Sequence, residues 1–111
     1  MFQRVTHGAV DVIQGDLPLN VENVEGIANL LQESLLSGQP YVVVDLENVP
    51  LIDSAGLELL LRFQEEFQRS GGALKLAAPN RLCDEILTVT GTGQSFELFS
   101  DALLAVGSYA R

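Results

Sequence analysis

The chain has 111 residues, of which 47% are hydrophobic and 19% charged. That fits one globular domain spanning residues 1–111, large enough to bury a core of its own, and excludes a disordered chain. The formal net charge of −9 opposes contact with a phosphate backbone, and the basic residues Arg4, Arg62, Arg69, Lys75, Arg81 and Arg111 are scattered, so direct nucleic-acid binding is not expected. The acidity suits either solubility or steering of a basic partner, and composition does not choose between them. No apolar run is long enough to span a bilayer, and no signal-peptide pattern opens the sequence. The single cysteine, Cys83, has no partner for an internal disulfide. These features predict a cytoplasmic protein without membrane insertion.

The elements follow in order along the chain. Gln3–Val5 and Val10–Gln14 read as two short strands around His7-Gly8-Ala9, a hairpin spacing. Gly15 to Asn20 is a loop, with Pro18 barring continuous pairing. From Val21 the period becomes helical: Val24, Ile27, Ala28, Leu31 and Leu35 form one apolar stripe, Asn20 is the expected N-cap, and Gly38 and Pro40 end the helix. Tyr41 to Leu46 is β-branched and apolar without alternation, the pattern of a strand buried on both faces. A second helix is expected from Ala55 to about Arg69, with Leu57, Leu60, Phe63 and Phe67 inward and Ser70-Gly71-Gly72 as its stop. Ala73–Ala77 is a further strand. Asn80 caps a third helix carrying Leu82, Ile86 and Leu87, with Cys83 on its inner side, ending at Gly91. Phe96–Phe99 reads as an edge strand, and Asp101–Tyr109 as a closing helix with Leu103, Leu104 and Val106 inward. The order β-β-α-β-α-β-α-β-α predicts an α/β fold with a mainly parallel sheet, whose sites form at the carboxyl ends of the strands.

The segment Ile52-Asp53-Ser54-Ala55-Gly56-Leu57 leaves that edge and enters the second helix. Asp and Ser before a helix are common caps. The same position offers free backbone N–H groups to an anion such as a phosphate. Phosphorylation of Ser54 would add about −1.5 to −2 charge beside Asp53. Ala55 and Gly56 carry little side-chain volume, so another backbone can come close. Spacing alone leaves the cap and the switch both open.

The pattern Val42-Val43-Val44-Asp45-Leu46, five residues, then Ile52-Asp53-Ser54-Ala55-Gly56-Leu57 resembles the STAS domain, the fold of bacterial anti-anti-sigma factors and of domains built into anion transporters and signalling complexes. The likeness continues through Ser70-Gly71-Gly72-Ala73-Leu74-Lys75-Leu76 and the helix of residues 80–90, and so covers nearly the whole chain. The resemblance implies a mixed, mainly parallel four- to five-strand sheet with helices packed mainly on one face. It also implies an anti-sigma factor antagonist. Such a protein binds an anti-sigma factor that doubles as a serine kinase, is released when Ser54 is phosphorylated, and is restored by a phosphatase. The implied partner-binding residues are Asp53, Ser54, Ala55 and Gly56, with Asp16 and Asn20 from the loop before the first helix. One departure stands out: where family members often have Gly-x-Leu-Asp, this chain has Gly15-Asp16-Leu17-Pro18. That departure motivates a second reading, a constitutive scaffold or an accessory subunit of a transporter or signalling complex.

Other chemistries find little support. A hydrolase using Ser54 needs an activating base, and the only histidine, His7, belongs to the hairpin at the other end of the sequence. One Cys and one His do not make a zinc site. Gly71-Gly72 and Gly91-Thr92-Gly93 lack the spacing of a phosphate-binding loop, and Asp45 lacks the acidic pair and the lysine of a phosphoaspartate receiver. No cofactor, no metal and no enzymatic activity are expected; the oligomeric state is left open.

Overall fold

The computed structural model describes residues 1–38 and 40–110. The chain alternates strands and helices: β1 (Gln3–His7), β2 (Val10–Gln14), α1 (Val24–Leu36), β3 (Tyr41–Asp45), α2 (Ser54–Arg69), β4 (Ala73–Ala77), α3 (Arg81–Val89), a 3-10 turn (Thr92–Ser95), β5 (Leu98–Phe99) and α4 (Ala102–Ser108). The five strands lie in the order β1-β2-β3-β4-β5, antiparallel at β1–β2 and parallel thereafter. The hairpin turns through Gly8 at φ 62°, a conformation that favours glycine.

Alternation along the strands divides the molecule into two cores. Ile13, Val42, Val44, Leu74 and Leu76 face α1, α2 and α3, where they meet Ile27, Leu31, Leu60, Phe63, Phe67 and Leu87. Val10, Val12, Val43 and Ala77 face the other way and are covered by α4 through Ala105. Three helices therefore share one face and one short helix closes the second, as the STAS resemblance implied.

Polar side chains lock these layers. Asp11, buried on β2, accepts from Thr6 Oγ1 at 2.8 Å and from Ser34 Oγ at 2.7 Å, which ties α1 to the sheet. Gln64, buried on α2, accepts from the Leu74 amide at 2.7 Å and donates to the Ser95 carbonyl at 2.8 Å. Lys75 is buried on the α4 face, where its Nζ donates to Ser108 Oγ at 2.7 Å, pairs with Glu97 at 3.1 Å and lies 4.0 Å from the Tyr109 ring centroid. The Tyr109 O–H sits 2.6 Å from the Ala73 carbonyl oxygen and 2.9 Å from that of Val42. Burial raises the Tyr109 pKa above the ordinary phenol value.

Several expectations need correction. The first helix begins at Val24, with Asn23 as its N-cap residue, rather than at Val21 behind Asn20. The Asn20 carbonyl accepts from the Asn23 and Val24 amides at 2.9 Å each, closing a turn over residues 21–23 before the helix can start. Leu103 and Leu104 are 77% and 55% exposed; Ala105 is the buried residue of α4. Five successive apolar residues, Ala102 to Val106, define no unique face. The choice is made by the flat packing site over Val43 and Ala77 and by the anchor at Tyr109. Leu82 is 48% exposed, and Cys83 and Leu87 supply the inner side of α3. Burial pushes the Cys83 thiol pKa up. The edge strand contracts to Leu98–Phe99, because Phe96 is drawn into the α2-side core at the end of the 3-10 turn.

Two measurements check these locks. Gln64→Leu leaves the buried Leu74 amide without its acceptor and is expected to lower unfolding stability by about 1–3 kcal/mol in urea titrations. Tyr109 holds its proton to higher pH in the folded state than in the unfolded chain. The unfolded chain therefore ionises first, and stability is lost as pH rises past about 10. Urea midpoints should fall between roughly pH 9 and pH 11, and fall less in Tyr109→Phe.

Candidate functional site

The carboxyl ends of β2 and β3 carry the loops that build the site. The two loops are stitched together. Leu19 and Ile52 form an isolated parallel bridge, the Leu19 amide donates to the Leu51 carbonyl at 3.0 Å, and the Asp53 amide donates to the Leu19 carbonyl at 3.0 Å. Leu19 and Ile52 are themselves buried, so apolar packing and backbone pairing hold the same place. Gly56 sits directly against this stitch. A Cβ there would collide with the Leu19 carbonyl oxygen and lie 2.9 Å from the side chains of Leu19 and Ile52. The first turn of α2 can approach so closely only because residue 56 is glycine.

Asp53 is the N-cap of α2. Its backbone is extended (φ −100°, ψ −172°) and Oδ1 accepts from the Gly56 amide at 3.1 Å. Its second oxygen lies 3.4 Å from the Val21 amide, so the same carboxylate spans both loops. Ser54 is the first residue inside the helix and is exposed. Among the described residues no hydrogen bond engages its hydroxyl, and the Ser54 and Ala55 amides have no acceptor. The cap function therefore rests on Asp53, while Ser54 presents a free hydroxyl beside two unused N–H groups at a helix N-terminus, where the dipole favours negative charge.

The other residues expected at the site are distributed unequally. Ala55 is half-buried beside Ser54. Gly56 is buried, and the backbone it admits is that of Leu19 in the same chain. Asn20 lies between two residues tied to the Asp53 segment, and its Oδ1 accepts from the Glu22 amide and from Asn23 Nδ2, at 3.1 Å each. Asp16 is exposed in a separate polar cleft with Gln14, Asp45 and Glu47, where it pairs with the Met1 ammonium; that ammonium holds its carboxyl below the usual range. Pro18 contributes its carbonyl, which accepts from Asn23 Nδ2 at 3.0 Å. Sequence reading missed Val21 and Leu51, which are 72% and 37% exposed and flank Asp53. Their signal was apolar side chains in loops that no core had to bury.

His7 is exposed and pairs with Val10, at the opposite edge of the sheet from the carboxyl end of β2. The four steps from Val10 to Gln14 span about 13 Å at roughly 3.3 Å each, whereas a general base must reach its proton donor within about 3 Å. His7 is therefore no base for Ser54. Among the described residues no group of three or more His, Cys, Asp or Glu side chains is placed to hold a metal ion, and no helix is long and apolar enough to cross a membrane.

The sheet order, the helix placement and the Asp-Ser start of α2 define a STAS-type domain. The STAS domain model matches residues 2–103, and the chain belongs to that family. Among solved structures, a STAS domain protein described as an anti-sigma factor antagonist from Planctomyces limnophilus superposes with a TM-score of 0.85 at 29% identity, covering 99% of this chain and 98% of the other. The Bacillus cell fate determinant SpoIIAA in its phosphorylated form gives 0.76 at 20% identity over 98% of this chain and 99% of its own. The murine anion transporter Slc26a9 also gives 0.76, at 16% identity, over 92% of this chain but only 18% of the transporter. Among curated proteins no sequence match was found.

The division of labour at the helix start is measurable. Asp53→Ala is expected to cost about 1 kcal/mol of stability, and Gly56→Ala about 1–3 kcal/mol from the forced displacement of Leu19. Ser54→Ala should stay within about 0.5 kcal/mol of the native protein. Thermal or urea unfolding of the three variants checks the order.

Proposed function

We propose that this protein is an anti-sigma factor antagonist whose partner is an anti-sigma factor with serine-kinase activity. The bare Ser54 surface binds that partner, phosphorylation of Ser54 breaks the complex, and a phosphatase restores it. The observation that carries this reading is the exposed, unengaged Ser54 hydroxyl on a helix already capped by Asp53. A residue that holds no part of the fold can be modified without unfolding the domain. The Ser54 and Ala55 amides give a phosphate local donors, so the modified chain keeps its structure. Asp53 beside it keeps the total negative charge high. A partner packed against a small hydroxyl then meets both bulk and charge. Asp53, Ala55 and Asn20 are the further contact residues, with Asp16 at the periphery; buried Gly56 acts by setting the approach of α2. The likeness to a structure described as an anti-sigma factor antagonist, and to a cell fate determinant in its phosphorylated form, supports the same reading.

The second reading, a constitutive scaffold or accessory subunit, draws on the likeness to the transporter domain and on the departure at Pro18. Binding separates the two. With the cognate kinase and ATP, phosphopeptide mapping is expected to place the modification at Ser54 and to lose it in Ser54→Ala. Ser54→Asp should weaken the partner complex by about 100-fold, in line with truncating or burying a charge at an interface, while Ser54→Ala binds as the native chain does. Modification only at other residues, or equal binding by both variants, would sink the switch and favour the scaffold.

A further inference from the structure

A groove runs between the N-terminal halves of α1 and α2, with a volume of about 570 Å³, within the range of sites that hold a ligand or a partner's side chains. Its floor is apolar: Val24 and Ala28 from α1, Ala55 and Leu59 from α2. Small side chains at 28 and 55 leave the gap, and Leu59, which belongs to the main core, closes its base. The rim is charged, with Glu25 on α1 and, across the groove on α2, Glu58 and Arg62 one turn apart. All three are exposed, and among the described residues none of them forms an ion pair. Arg62 lies over the Phe63 ring, 5.0 Å from its centroid, and Glu58 lies past the first turn of α2, where the helix dipole gives it little support. An apolar floor with unmatched charges of both signs at a spacing of one helical turn is a template with a polarity.

We infer that this groove docks an amphipathic helical segment of a partner protein, one whose apolar side chains at helical spacing enter the groove. A basic residue of the segment faces Glu25 and Glu58, and an acidic residue about one turn along faces Arg62. The apolar floor supplies affinity, and the rim charges fix the direction in which the segment lies. Ser54 starts the same helix but does not line the groove. The groove and the Ser54 surface therefore meet at Ala55, while the Ser54 hydroxyl itself stays outside the groove. The inference rests on the proposed antagonist function only for the purpose of the docking.

The test uses the full chain and two designed, end-blocked helical peptides of identical composition. Both carry leucines at i, i+3, i+4 and i+7. In one, lysine and glutamate are placed to match Glu25/Glu58 and Arg62; in the other the two are exchanged. Equal composition cancels the general attraction of an acidic protein for cations. The matched peptide is expected to bind at least about ten-fold tighter, with amide shifts in NMR spectra confined to Val24, Ala28, Ala55, Leu59 and their neighbours. In the triple variant Glu25→Lys/Glu58→Lys/Arg62→Glu the preference should reverse. The three side chains are exposed, and far-UV circular dichroism verifies the fold. No binding, equal binding of the two peptides, shifts elsewhere or an unreversed preference would overturn the docking inference. So would sodium dodecanoate producing the groove shifts where neither peptide does, which would assign the groove to a small apolar ligand. None of these results bears on whether a kinase modifies Ser54, and failure of Ser54 phosphorylation leaves the peptide result intact.

Discussion

The arrangement of the site depends on one close approach, that of the first turn of α2 to the backbone at Leu19. Two parallel strands give out at Gln14 and Asp45, and their trailing loops would ordinarily diverge. Here Leu19 and Ile52 continue the pairing by a single bridge, with the flanking Leu51 carbonyl and Asp53 amide completing it. Gly56 is what lets the helix start lie on top of that bridge. Asp53 then works in two directions at once, capping α2 through Gly56 and reaching the Val21 amide with its other oxygen. The consequence is a rigid corner in which the position of Ser54 is fixed by backbone contacts rather than by its own side chain. That frees the hydroxyl for chemistry.

The same economy appears on the far side of the sheet. A seven-residue helix such as α4 cannot hold itself in water, and its docking relies on few contacts. Ala105 fits over the small residues Val43 and Ala77, and Lys75 and Tyr109 anchor its end. At low exposure the Lys75 Nζ is met by Glu97, Ser108 and the Tyr109 ring together. The larger core beneath α1, α2 and α3 supplies most of the buried apolar residues and thereby holds the site corner, so the Ser54 face and the α4 face are built from opposite sides of the same strands.

Much of the fold was legible in the sequence. The unalternated Tyr41–Leu46 run announced a strand covered on both faces, and it is. The stripe Leu57, Leu60, Phe63 and Phe67 named the inner side of α2 correctly. Where the reading failed, local pattern had no unique answer. Asn20 accepts from the Glu22 amide and closes a turn over residues 21–23, so the regular helix starts only behind Asn23, whose side chain makes no capping bond, and local spacing does not tell the two starts apart. Leu103 and Leu104 look like core residues in a run of five apolar positions, yet the packing surface offered to α4 accepts Ala105 instead.

The sequence by itself determined the strand and helix order, the buried central strand, the acidic surface and the Asp-Ser helix start, because each follows from hydrophobic period, capping chemistry or charge within a few residues. Only the tertiary structure decided which of the two did the capping and which was left free. The answer turns on whether Asp53 can reach the Gly56 amide while Leu19 holds the segment from behind. It also decided that Gly56 serves the chain's own packing and that a charged-rimmed groove opens between α1 and α2. These depend on contacts between residues 30 or more positions apart, which neither spacing nor composition records.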